Sequence, residues 1–178
     1  MLERKKDWKS AEMVLREGYN FAFEEQDILY QAKISNNLGK LFAKQKGEKN
    51  FALSNMYFMN SIKLGQISDD SLHLARAYTA WGRSLIHHGK PEDALAQLHQ
   101  AFEIDEQSGK TNVLRDLLDN LTNVFTRLGR SQEALQYFDR AIVATNSNAS
   151  LIAQKESFVR SFSSPTAKPR KKNPEIQR

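Results

Sequence analysis

At 178 residues, 40% hydrophobic and 26% charged, the chain suits one folded domain or one array that buries a real core. Zero cysteines exclude a disulfide framework and a thiolate metal site, and make a cytoplasmic home the default expectation. No run approaches the roughly 18 apolar residues of a membrane helix, and Met1–Ser10 is too charged for a signal peptide, so no membrane partner is expected. The net charge is +5, but Lys168, Arg170, Lys171, Lys172 and Arg178 face only Glu175, so four of those charges sit in residues 163–178.

The chain opens on a helix over residues 7–26, with Trp8, Ala11, Leu15, Gly18 and Ala22 on one face. Tyr19, Phe21, Phe23 and Tyr30 crowd its end; they either pack under the next pair or leave an apolar patch there. Helices near Ile28–Lys46 and Lys49–Leu64 follow, joined by the polar turn Lys44–Asn50, with Gly65 expected to end the second. Ser68-Asp69-Asp70-Ser71 supplies N-cap chemistry for the next helix.

From Ala75 to Ala144 the sequence nearly repeats itself at an offset of 40 residues. Gly89, Ala94, Leu95 and Ala101 fall on Gly129, Ala134, Leu135 and Ala141, and Tyr78, Trp81, Leu85 and Leu98 on Leu118, Leu121, Phe125 and Phe138. Such a period marks a stacked repeat, each unit a helix, a Gly turn and a helix. Pro91 stands where a helix begins, and Glu92 and Asp93 place negative charge at its positive end. The stripe Ala94, Leu98, Ala101 is small–large–small, as is Ala11, Leu15, Gly18, so residues 7–26 read as the second helix of a repeat whose first is absent. A looser copy runs through Leu38-Gly39, Phe42, Gly47, Ser54, Phe58 and Ser61, with Ser for both alanines.

After Asn146-Ser147-Asn148 breaks the pattern, Leu151, Ile152, Phe158, Val159 and Phe162 predict a closing helix over about 149–162, capped by Asn148 or Ser150. From Ser163 onward three prolines and almost no apolar residues predict a disordered basic tail. All eight glycines have structural work: Gly47, Gly89 and Gly129 turn, Gly65 and Gly109 end outer helices, and Gly18, Gly39 and Gly82 allow close packing. None remains to cradle a phosphate.

The series Tyr78, Trp81-Gly82, Leu85, Gly89, Ala94, Leu98, Ala101 resembles the tetratricopeptide repeat, in a longer-helix variety. The next copy, Leu118, Leu121, Phe125, Gly129, Ala134, Phe138, Ala141, departs at Thr122, where the small Gly is replaced. The resemblance implies an all-α, right-handed solenoid of antiparallel pairs. It would hold a half-repeat at 7–26, repeats at about 28–66, 70–107 and 110–145, and the closing helix. It also implies a concave face lined by the first helix of each pair. By that resemblance the lining is Lys33, Asn36, Asn37, Lys40 and Lys44, then Arg76, Thr79, Arg83 and His87, then Asp116, Asp119, Asn120, Asn123 and Arg127. Asn both donates and accepts, as an extended peptide's backbone requires, and Arg grips carboxylates in a bidentate fork. The family's chaperone-tail clamp wants Asn where this chain has Lys40 and Ala80, so that clamp is not reproduced.

No Gly-rich phosphate loop, HExxH or nucleophile elbow is present. His87 and His88 are one step apart on a helix and cannot face one metal ion together, and Asp116 and Asp119 read as acids near a helix start. No enzyme activity, cofactor or metal is expected. The expectation is a non-catalytic scaffold that binds a protein or peptide with an acidic segment, with self-association through the N-terminal end as a further option. The competing reading is a regulatory or nucleic-acid-associated factor acting through the tail, or the sensor arm of a larger signalling protein. No aromatic residue interleaves Lys168–Lys172, so base stacking has no platform there.

Overall fold

Short polar side chains start the helices. Asp7, Asp27 and Asp70 each accept a hydrogen bond from a backbone N–H three residues on, at 3.0, 2.9 and 2.8 Å. They open α1 (Trp8–Glu24), α2 (Ile28–Ala43) and α4 (Ser71–His87). Between lies α3 (Glu48–Ile67), and beyond follow α5 (Pro91–Ser108), α6 (Leu114–Arg127), α7 (Ser131–Ala144) and α8 (Ala149–Ser163). Pro91 is the first residue of α5, and Asn148 accepts from the N–H of Ser150 at the start of α8. The computed structural model describes residues 7–108 and 113–163, and among these all regular structure is helical.

Helix ends share one device. After α4 and α6 the chain takes a left-handed residue, Gly89 (φ +72°) and Gly129 (φ +70°), which glycine adopts without steric cost. The following N–H then reaches back five residues, Lys90 to the Leu85 carbonyl at 2.9 Å and Arg130 to that of Phe125 at 2.8 Å. α3 ends differently from expectation. Gly65 does not stop it but lies buried inside it, where an added Cβ would stand 2.8 Å from His73 Cδ2. The stop is Asp69 (φ +51°), with Asp70 N–H bonded to the Gly65 carbonyl. Gly65 is therefore a close-packing residue, needed because α4 crosses there. Gly109 and the tail from residue 164 lie outside the described residues, and Ser163, assigned to the tail on composition, is the last residue of α8.

The helices stack as an α-solenoid of antiparallel pairs. α2 packs chiefly on α3 and α4 on α5, while α2 touches α4 and α4 touches α6, forming an inner wall of alternate helices. Small residues set the pair spacing: a Cβ on Gly39 would stand 2.9 Å from the Phe58 ring, and one on Gly82 2.7 Å from Leu98 Cγ. The larger core joins α4 to α8 through Leu98, Phe102, Leu118, Leu121, Phe125, Phe138 and Leu151. A smaller one, Leu38, Leu41 and Phe42, gathers Trp8, Leu15 and Tyr57 around α1 to α3.

Between the two cores runs a polar seam. Ser54 and Ser61, standing for the alanines of the other repeats, donate to the Gly39 and Ala32 carbonyls of α2 at 3.0 and 2.8 Å. Asn60 donates to Ser35, and the Trp81 indole to Asn55. α8 joins the stack through Leu151, through Phe158 against Phe138 with ring centres 6.0 Å apart, and through Gln154, which donates to Asp119 at 2.6 Å.

Gly82→Ala should destabilise the protein by about 1–3 kcal/mol through overpacking, although alanine favours helix by about 1 kcal/mol. Gly18→Ala, whose Cβ would meet only Ile34 at 3.4 Å, should be neutral or stabilising. Urea midpoints of the two variants test the contrast.

Candidate functional site

Helical periodicity brings Lys40 and Lys44 to one face of α2, and Arg76, Thr79, Arg83 and His87 to one face of α4. Because α2 and α4 are neighbours in the inner wall, the two faces meet over a recess of about 490 Å³. Its lining includes Lys40, Lys44, Arg76, Arg83 and His87, with Phe58, Ala43, Ala80 and Val113 as apolar wall and Asp116 of α6 as the sole acid. Phe58 and Val113 were missed from sequence. Phe58 belongs to the outer helix α3 and reaches the recess only because Gly39 lets its ring lie over α2.

The cations are crowded. Lys40 has its ammonium held below the ordinary lysine range, first by burial and then by Arg83, Arg76 and Lys44. Among the described residues none of these four is ion-paired, whereas Arg16, Arg130 and Arg140 all meet carboxylates elsewhere.

The other expected groove residues divide. Asn36 is buried, and among the described residues its carboxamide oxygen has no hydrogen-bond partner. Thr79 is also buried and donates to the Ala75 carbonyl. Lys33 lies over the Tyr30 ring, and Asn37 is exposed. On α6, Asn120 donates to the Asp116 carbonyl, while Arg127 donates to Asn123 at 2.7 Å and to the Ile86 carbonyl at 3.2 Å. Asn123, Arg127 and Asp119 line a separate depression with Phe158 and Ser161 of α8. The structure thus brings together the α2 and α4 cations with Asp116, and leaves the α6 amides outside that recess.

On α4, His73 is 5% exposed and packs against α3 at Gly65 and Ser61. Ser61 spends its proton on the Ala32 carbonyl, so the 2.9 Å contact with His73 Nε2 requires Nε2–H to donate to Ser61 Oγ. A neutral imidazole fits this arrangement. Burial holds its pKa below the usual histidine range; Asp70 opposes the shift, and Lys33 and Lys40 of α2 reinforce it.

Antiparallel helical pairs with an inner wall of alternate helices define a helical-repeat protein. Residues 73–144 match the family model described as Tetratricopeptide repeat. Such repeats generally mediate protein–protein interaction and are typically non-catalytic scaffolds. No curated protein matches the chain. Among the described residues no helix is long and apolar enough to cross a membrane.

Since His73 binds its proton less readily when folded, the unfolded chain takes up more protons as pH falls below about 6.5. Stability should be full above that value and decline below it, until the lower folded pKa is passed. Urea midpoints between pH 7.5 and 5 should show this slope, and His73→Gln, which keeps an N–H for Ser61, should flatten it.

Proposed function

We propose that the protein is a non-catalytic adaptor that captures an acidic protein or peptide segment in the recess between α2 and α4. The observation that carries this reading is the set Lys40, Lys44, Arg76 and Arg83 around one hollow, opposed among the described residues only by Asp116. A segment with Asp or Glu would complement that charge, while Ala43, Ala80 and Val113 take its apolar atoms. Exposed ion pairs weaken with salt, so capture should fall as ionic strength rises through about 0.15 M, where the Debye length is near 8 Å.

Arg83 lies on the central inner helix. Its reversal, Arg83→Glu, should abolish partner capture in a pull-down, a loss of about 2 kcal/mol or more, while leaving the melting temperature near the wild-type value. Glu103 of α5 is unsuitable for the control because it pairs with Arg140 at 3.0 Å. Lys63, exposed on outer helix α3, serves instead, and Lys63→Glu should change little. Capture that survives Arg83→Glu but is lost when residues 164–178 are removed would move the activity to the basic tail.

Self-association belongs to the same proposal. α1, read as a half-repeat, carries Met13, Val14 and Phe21 at 56, 62 and 65% exposure on its outer face, which a second copy would cover. Light scattering should then show concentration-dependent dimers that Phe21→Ser reduces; a strict monomer at high concentration would remove this part.

A further inference from the structure

The charge of the recess exceeds what one carboxylate can balance. Lys40 and Lys44 reach it from α2 and Arg76 and Arg83 from α4, and α6 returns only Asp116. Among the described residues, four cations and one acid leave three positive charges uncompensated around about 490 Å³. Two guanidinium forks and two ammonium groups offer many donors converging on one hollow, and none is committed to a carboxylate among the described residues. A carboxylate brings one charge and two oxygens. A phosphoryl group brings close to two charges and three strong acceptor oxygens. The volume is generous for a bare ion but suits a side chain with part of its backbone, and the walls Phe58, Ala43 and Val113 are apolar where that chain would lie.

We propose that the recess recognises a phosphorylated side chain, a phosphoserine or phosphothreonine of a partner's segment. This rests on the groove reading above and narrows it from any acidic segment to a dianion. The lowered pKa of Lys40, caused partly by its three cationic neighbours, agrees with a site short of negative charge. The pH response separates the two ligand types. Phosphoserine loses its second charge below about pH 6, so its binding weakens as pH falls from 7 to 5. A carboxylate stays ionised over most of that range, so its binding changes much less.

The test uses the full chain and three labelled pentapeptides that differ only in a central phosphoserine, glutamate or serine between alanines, their ends blocked. At about 0.15 M salt and pH 7, fluorescence anisotropy should show the phosphoserine peptide binding at least about tenfold more tightly than the glutamate peptide, and the serine peptide not binding. Lys40→Gln and Arg83→Gln should each weaken it about fivefold or more with unchanged circular dichroism, and inorganic phosphate should compete with the peptide at pH 7. Should either variant misfold, the pH profile of the wild-type chain decides alone. Equal binding of the phosphoserine and glutamate peptides overturns the phosphoryl inference and leaves the acidic-segment reading standing. Binding of neither, or tighter binding of a short single-stranded oligonucleotide, overturns it too, while the Arg83→Glu pull-down separately decides the groove reading.

Discussion

Phe58 lies on the backbone of α2 and Leu98 on that of α4, because Gly39 and Gly82 have no Cβ to hold them off. This contact sets the distance within the α2–α3 and α4–α5 pairs, while the α6–α7 pair carries Thr122 at the equivalent position. A closer pair brings α2 near α4 and α4 near α6, so that the first helices form a continuous inner wall. Were the pairs spread by even one methyl group, the wall would open and the Lys40 and Arg83 faces would part. Interiors are packed tightly enough that such a change is not absorbed locally.

The polar seam between the two cores shows a second way to reach close spacing. Serine is nearly as small as alanine, but its hydroxyl must be paired when buried. Ser54 and Ser61 resolve this by donating to carbonyls of α2, which adds a directional bond to each tight contact. The Ser61 bond in turn dictates the proton position on His73, so packing and titration are joined at one hydroxyl. Protonation at Nδ1 would leave that bond intact, so what disfavours the charged imidazole is chiefly its burial.

Much of this was legible from residue spacing. The repeated small–large–small stripe marked the second helix of each pair, while the resemblance to the tetratricopeptide repeat supplied the inner-face positions of Lys40, Lys44, Arg76, Arg83 and His87. What spacing could not supply was the crossing geometry. Asn36 lies one turn before Lys40 on the same stripe, yet it is buried, since how far α4 covers α2 is not written in a helical period. Arg127 was expected in the groove, but its guanidinium is engaged by the Ile86 carbonyl, 41 residues away, and by Asn123. Gly65 carried the composition of a helix stop, while its actual constraint, the imidazole of His73, comes from the next helix. In each case the deciding neighbour lies on another element.

The distribution of charge bears most directly on function. On the outer helices opposite charges meet: Arg140 of α7 pairs with Glu103 and Glu106 of α5, and Lys155 of α8 with Asp139 of α7. These bridges tie successive repeats together, each contributing little at exposed positions. On the inner wall the pattern reverses, and four cations share one recess with a single acid. Folding alone gains nothing from that arrangement, because like charges repel. A glutamate at position 80, between Arg76 and Arg83 on the same helix, would have relieved the repulsion; the chain has Ala80 there. The fold accepts an electrostatic cost on its concave side that it avoids on the convex one. On the proposed reading, a negatively charged group arriving from outside would recover that cost.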